Sequence, residues 1–118
     1  MPQITIDYSA ELEDAFDRRG FAPALHAEVV EIAAARIEAC KTRFRRIEDT
    51  TVGADPEGHA IVHIALGLMA GRTEETKARL TEAAVELLRQ YVKPAEGLVL
   101  HASAEVRDLD PSYRKFEG

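Results

Sequence analysis

Nine consecutive residues, Ala60-Ile61-Val62-His63-Ile64-Ala65-Leu66-Gly67-Leu68, carry apolar side chains at both odd and even positions. Strand side chains alternate between two faces, so a run this apolar reads as a central strand with neighbours on either side. The rest of the chain must supply those neighbours and a cover. Three segments have the required period of two. Gln-Ile-Thr-Ile-Asp at 3–7 is a short strand, and Pro2 is tolerated before it because the first strand residue need not donate to the ladder. Residues 41–49 place Lys41, Arg43 and Arg45 on one face and Thr42, Phe44 and Arg46 on the other. Residues 98–107 set Leu98, Leu100, Ala102, Ala104 and Val106 against Val99, His101, Ser103, Glu105 and Arg107, a half-exposed strand.

Helical signals fill the gaps. Ser9 reads as an N-cap followed by Glu11, Glu13 and Asp14, which suit a helix start. Gly20 interrupts, and a further helical stretch follows with Pro23 in its first turn and Leu25, Val29, Ile32 and Ala33 as its apolar stripe, ending between residues 34 and 39. Residues 53–58 are a loop by their glycines and proline. Thr73 caps a strong helix, with Glu74 and Glu75 in its first turn, Leu80, Ala84, Leu87, Leu88 and Tyr91 as its stripe, and Pro94 and Gly97 as its stop.

The predicted fold is therefore α+β, a single domain over residues 1–118. Two β-α-β units build a four-stranded mixed sheet with its helices on one face. The other face is left open. Ile61 and its neighbours indicate that this face is not wholly polar, and an oligomer is the economical way to cover it.

Charge narrows the partners. The 118 residues carry 21 acidic and 15 basic side chains, a net −6, which argues against nucleic acid or an anionic membrane as partner. No apolar run approaches the roughly 18 residues of a membrane span, and no signal peptide is visible. The single Cys40 makes no internal disulfide and suits a reducing cytoplasm, as a small half-buried hydrophobe. Against this acidic background, residues 41–46 hold four cations in six positions. They form either a solvated strand face or a local field for a small anion.

Pro2 is the candidate catalytic residue. Removal of Met1 would turn its ring nitrogen into a secondary amine, a free base at the start of a strand. An ordinary α-amine titrates near pH ~8. Burial and nearby cations would each lower that value toward neutrality. The same cations would hold a carboxylate substrate and stabilise a developing dienolate. Taken alone, Met-Pro means no more than a second residue that permits methionine removal. Arg72, between a strand end and a helix N-terminus, is placed to grip a carboxylate with two hydrogen bonds, or to be a solvated loop arginine. Arg43 stands similarly, and Lys41, Arg45 and Arg46 less so. The histidines do not make a metal site: His59 and His63 lie about 13 Å apart in a strand, and no Cys-x-x-Cys is present. His63 reads as a satisfied strand histidine.

Taken together, these residues match a known pattern. Met1-Pro2 opening a strand, Val62-His63-Ile64 followed by Ala70-Gly71-Arg72, and Ser103-Ala104-Glu105-Val106 leading to Leu109-Asp110-Pro111 resemble the 5-carboxymethyl-2-hydroxymuconate isomerase family of the tautomerase superfamily. The likeness spans essentially the full chain. It implies a duplicated β-α-β fold assembled as a homotrimer, no cofactor, and Pro2 as the base after methionine removal. The implied reaction is ketonisation of a 2-hydroxymuconate-type dienol to an unsaturated 2-oxo acid in homoprotocatechuate breakdown, on a di- or tricarboxylate held by basic residues. Arg72 and Arg43 carry over directly. The family's first basic position on the second strand is an arginine, and here it is Lys41, which keeps the charge but loses the bidentate fork.

Two other readings compete. One keeps Pro2 as base but for another unsaturated acid, through tautomerisation, hydration or dehalogenation. The other is a non-catalytic ligand- or RNA-binding module, since βαββαβ also describes ferredoxin-like domains. RNA binding is disfavoured by the net charge and by strands without paired exposed aromatics.

Overall fold

In the computed structural model, which describes residues 1–118, the elements follow in the expected order. They are β1 (Gln3–Ser9), α1 (Arg18–Ala33), β2 (Lys41–Ile47), β3 (His59–Leu68), α2 (Glu74–Tyr91) and β4 (Val99–Asp108). The sheet order is β2-β1-β3-β4. β1 and β3 are antiparallel at the centre, and each is parallel to its outer partner. Each parallel pair is bridged by one helix, so the two β-α-β halves expected from the sequence are present. No helix is long and apolar enough to cross a membrane.

The core lies between the sheet and both helices. Ile4, Ile6 and Tyr8 of β1 and Ala60, Val62, Ile64, Leu66 and Leu68 of β3 are buried against Phe21, Leu25 and Val29 of α1 and Leu80, Ala84 and Leu88 of α2. Each large side chain buried this way contributes about 1.5–3 kcal/mol of transfer free energy. β3 is central, as its composition requires, yet only its even positions are buried; Ile61, His63, Ala65 and Gly67 are half-buried on the open face.

That open face is mainly polar, and its charges pair across strands. Arg45 forks onto Asp7 at 2.6 and 3.1 Å, and Arg43 donates to Gln3 at 2.8 Å. His63 sits 2.7 Å from both Ser103 and Glu105. Arg107 and then His63 hold the Glu105 carboxyl down to about 2. His63 is thus a hydrogen-bonded strand histidine, and Ile61 and Ala65 are the apolar minority the sequence indicated.

The first helix departs from expectation. Ser9 caps no α-helix: only a single 3-10 turn, Ala10–Leu12, follows it. Its hydroxyl instead accepts from the Ile61 amide at 2.7 Å and meets Thr50 at 3.3 Å, tying β1 to β3. α1 starts at Arg18, with Asp17 as N-cap accepting from the Gly20 amide at 3.0 Å. Gly20 therefore lies in the first turn rather than interrupting, and Pro23 sits deeper inside the helix. A Cβ at Gly20 would come within 2.8 Å of the Tyr91 ring and collide with the Asp17 carboxylate, so glycine lets α2 approach.

α2 behaves as read. Thr73 accepts from the Thr76 amide at 3.1 Å, and two acidic residues stand in the first turn. Thr73→Ala is expected to lower stability by about 1 kcal/mol, seen as a lower urea midpoint with an unchanged slope. An unchanged midpoint would mean that water replaces the cap without loss.

Candidate active site

The start of β1 is fastened to β2: the Lys41 amide donates to the Pro2 carbonyl at 3.2 Å, and Gln3 faces Lys41 across the ladder. Pro2 is buried, sharing the side of Ile4 and Ile6, while Met1 is half-buried. The α-amino group on Met1 is pushed below its ordinary value. Burial is the main cause, followed by the positive charges of Arg72, Lys115 and Lys41. Both effects disfavour the ammonium form. A cleft of about 200 Å³ opens here, lined by Met1, Arg36, Glu38, Ala39, Lys115 and Glu117.

Arg72, in the turn between β3 and α2, lines a neighbouring cleft of about 490 Å³ with Ala33, Ala34 and Thr76, and its charge still acts on the α-amine. Its Nε and Nη2 donate to the Ala33 carbonyl at 3.3 and 3.0 Å, and Nη1 donates to Met69 at 3.1 Å. The guanidinium thus sits on the last residue of α1, whose chain leaves through Ala34 in the left-handed region at φ 56°. A cation there complements the negative end of the helix dipole. Two of its five N–H groups remain for a ligand. The sequence placed Arg72 beside a helix N-terminus; the structure adds that it also closes a helix C-terminus.

Lys41 donates to the Ala39 carbonyl at 3.2 Å. Arg43 is exposed on the open sheet face and donates to Gln3, the residue that follows Pro2 and pairs with Lys41. The charges of Lys41 and Arg72 thus act on the α-amine beside Pro2, while none of Pro2, Lys41, Arg72 and Arg43 lines the 200 Å³ cleft itself. Lys115 and Arg36 belong to the corner and were missed. Neither has a local signal: one is in the polar tail and the other between helix and strand. Buried Cys40 adjoins the site, its thiol pushed up chiefly by burial. A larger cleft of about 470 Å³ at the far end is lined by Glu11, Asp14 and Asp17 with Lys93 as its one cation, a net negative surface that disfavours a carboxylate.

The α-amine at this corner feels three positive charges, and the adjoining cleft carries Arg36 and Lys115 together with Glu38 and Glu117. A family model described as 5-carboxymethyl-2-hydroxymuconate isomerase matches residues 2–116. Among curated protein sequences, none matches the chain. Among solved structures, a 5-carboxymethyl-2-hydroxymuconate isomerase from Deinococcus radiodurans is similar with a TM-score of 0.79 at 20% identity, over 98% of this chain and 90% of that one. A fused 4-OT symmetric trimer is similar with a TM-score of 0.72 at 20% identity, over 91% and 85%. A malonate semialdehyde decarboxylase inhibited by 3-bromopropiolate follows at 0.67 and 26% identity, over 98% and 89%. The fold is the tautomerase fold, and with a family match over nearly its whole length the chain belongs to the 5-carboxymethyl-2-hydroxymuconate isomerase family.

Proposed function

We propose that this isomerase converts a 2-hydroxymuconate-type dienol, such as 5-carboxymethyl-2-hydroxymuconate, to its unsaturated 2-oxo acid in aromatic-compound degradation. The base is the secondary amine of Pro2, freed by removal of Met1. The observation that supports this reading is buried Pro2 fastened at the start of β1, one residue from an amine on which the charges of Arg72, Lys115 and Lys41 act. Loss of Met1 would move the amine about 3.8 Å inward, onto a residue that is already buried.

Pro2 nitrogen takes the 2-hydroxyl proton. The oxygen's electrons form the C2 carbonyl, and the conjugated double bonds shift toward the far carbon. That carbon takes the proton back from the Pro2 ammonium, so nothing is gained or lost. Arg72 and Lys41 hold carboxylate and stabilise the negative charge spread over the dienolate. Arg43, outside the cleft of its own protomer, would serve a site completed by a neighbouring copy. A homotrimer is the assembly proposed, supported by the similar symmetric trimer and by the uncovered sheet face.

A base must be unprotonated to act. The burial and cations that push the Met1 amine down would act in the same direction on the Pro2 amine, so the rate should hold toward neutral pH and fall as acid protonates the amine. The acid limb of a kcat/KM profile is expected below the ordinary amine value of pH ~8, moving upward when Arg72 is neutralised. A limb at or above that value would count against the assignment.

The second reading, another unsaturated acid handled by the same base, is favoured by Lys41 in place of an arginine and by the similar decarboxylase structure. Assay of the Met1-free protein on hydroxymuconates, other dienols and haloacrylates separates the two. Turnover of hydroxymuconates supports the first reading, and turnover of haloacrylates alone overturns it.

A further inference from the structure

Beyond β4 the chain does not trail into solvent. Leu109 extends the ladder by donating to the Leu68 carbonyl at 2.7 Å. Its side chain lies over Gly67, where a Cβ would come within 2.9 Å of it and 3.1 Å of the Gln3 carbonyl. A turn then reverses the chain: the Asp110 carboxylate accepts from the Ser112 amide at 2.8 Å, and its carbonyl accepts from the Tyr113 amide at 2.9 Å. Gln3 donates to the Tyr113 hydroxyl at 3.1 Å, pinning the returning segment across the start of β1. These fastenings carry Lys115 and Glu117 into the cleft beside Met1.

The three cations that act on the α-amine are differently committed. Arg72 and Lys41 donate to backbone carbonyls that stay in place. Lys115 alone of the three is paired with a carboxylate, Glu117 at 3.0 Å, on the same exposed tail. Lys115 is 40% exposed and Glu117 64%, so neither is locked. The Glu117 carboxyl is held below the usual range by Lys115 first, with smaller contributions from Lys41 and Arg36. An internal carboxylate thus rests where cations from three segments of the chain converge.

We propose that Lys115 is a substrate-binding residue. Its ammonium takes a carboxylate of the di- or tricarboxylate substrate beside Pro2, and Glu117 holds that place in the free protein. This inference rests on the site proposed above and adds to it a residue outside the sheet. An exposed, same-tail pair is weak, so exchange for a ligand carboxylate costs little. The substrate's carboxylate gains a charge-assisted hydrogen bond, and the tail's glutamate returns to water.

Adipate, a saturated dicarboxylate that cannot tautomerise, tests binding apart from chemistry. Calorimetric titration of Met1-free protein should show Lys115→Gln weakening adipate about five- to tenfold, with Lys115→Arg restoring it to within about twofold. Glu117→Gln, which removes the internal competitor, should tighten it about two- to threefold. With a turnover substrate, the Lys115→Gln loss should fall mainly on KM. Wild-type adipate affinity in Lys115→Gln, or no rescue by arginine, overturns the proposal whatever the fate of Pro2 as base. Full activity in a Pro2 variant, in contrast, would sink the catalytic reading and leave the adipate result standing.

Discussion

Pro2→Ala is expected to fold as the parent does and to lose about 10²–10⁴-fold of its ketonisation rate, the usual share of a positioned general base. Alanine also permits methionine removal, so an amine remains, but a primary one of lower basicity and without the ring that fixes its lone pair. The backbone contact that anchors this corner comes from the Pro2 carbonyl, which alanine keeps. Circular dichroism and oligomeric state should therefore match the parent. A second preparation sharpens the test. One uncleavable residue placed before Pro2 leaves its nitrogen in an amide, whose lone pair is delocalised into the carbonyl. That protein, with no free amine at this position, should be at least as inactive as Pro2→Ala. Full activity in either would show that the proton is moved by another group.

Phe21→Ala should have the largest effect on stability. Phe21 is fully buried, its ring edge-on to Phe16 at 5.5 Å and Tyr91 at 5.8 Å, so it joins the segment before α1 to the end of α2. Truncating a core aromatic costs about 3–5 kcal/mol, a large part of the 5–15 kcal/mol typical of a domain. A urea midpoint near the parent's would mean that the helices close over the gap, which the collar of rings around Phe21 makes difficult. Ligand affinity, normalised to folded protein, should change little, because Phe21 does not line the cleft.

Periodicity was informative wherever one face meets the core. β3 and α2 were legible because their burial patterns repeat, and Thr73 signalled its own helix. Ser9 misled because a serine before acidic residues has the composition of a cap, while its hydroxyl is claimed by Ile61, a strand distant in sequence. Gly20 misled for a similar reason: the need for glycine comes from Tyr91 packing against it, not from a turn. The positions of Arg72 and Lys41, though not their roles, were legible because each stands at the edge of a recognisable element. Arg43 shares the strand and its open face with Lys41, and its guanidinium is held by Gln3. Lys115 was illegible because its position is set by Leu109 over Gly67 and by Tyr113 on Gln3, contacts that no local pattern encodes.

The doubled β-α-β frame has two equivalent corners. Gln3 beside Lys41 begins the first, and His59 beside Val99 begins the second. A chain has one α-amine, so only the first corner can hold it. At the second, a loop runs on into β3, and His59 meets His101 at 2.9 Å in place of a cluster of cations. The molecule is thus symmetric as a scaffold and one-sided as a reagent. Relocating the terminus to the loop before β3, by circular permutation, would transplant the amine without its electrostatic surroundings.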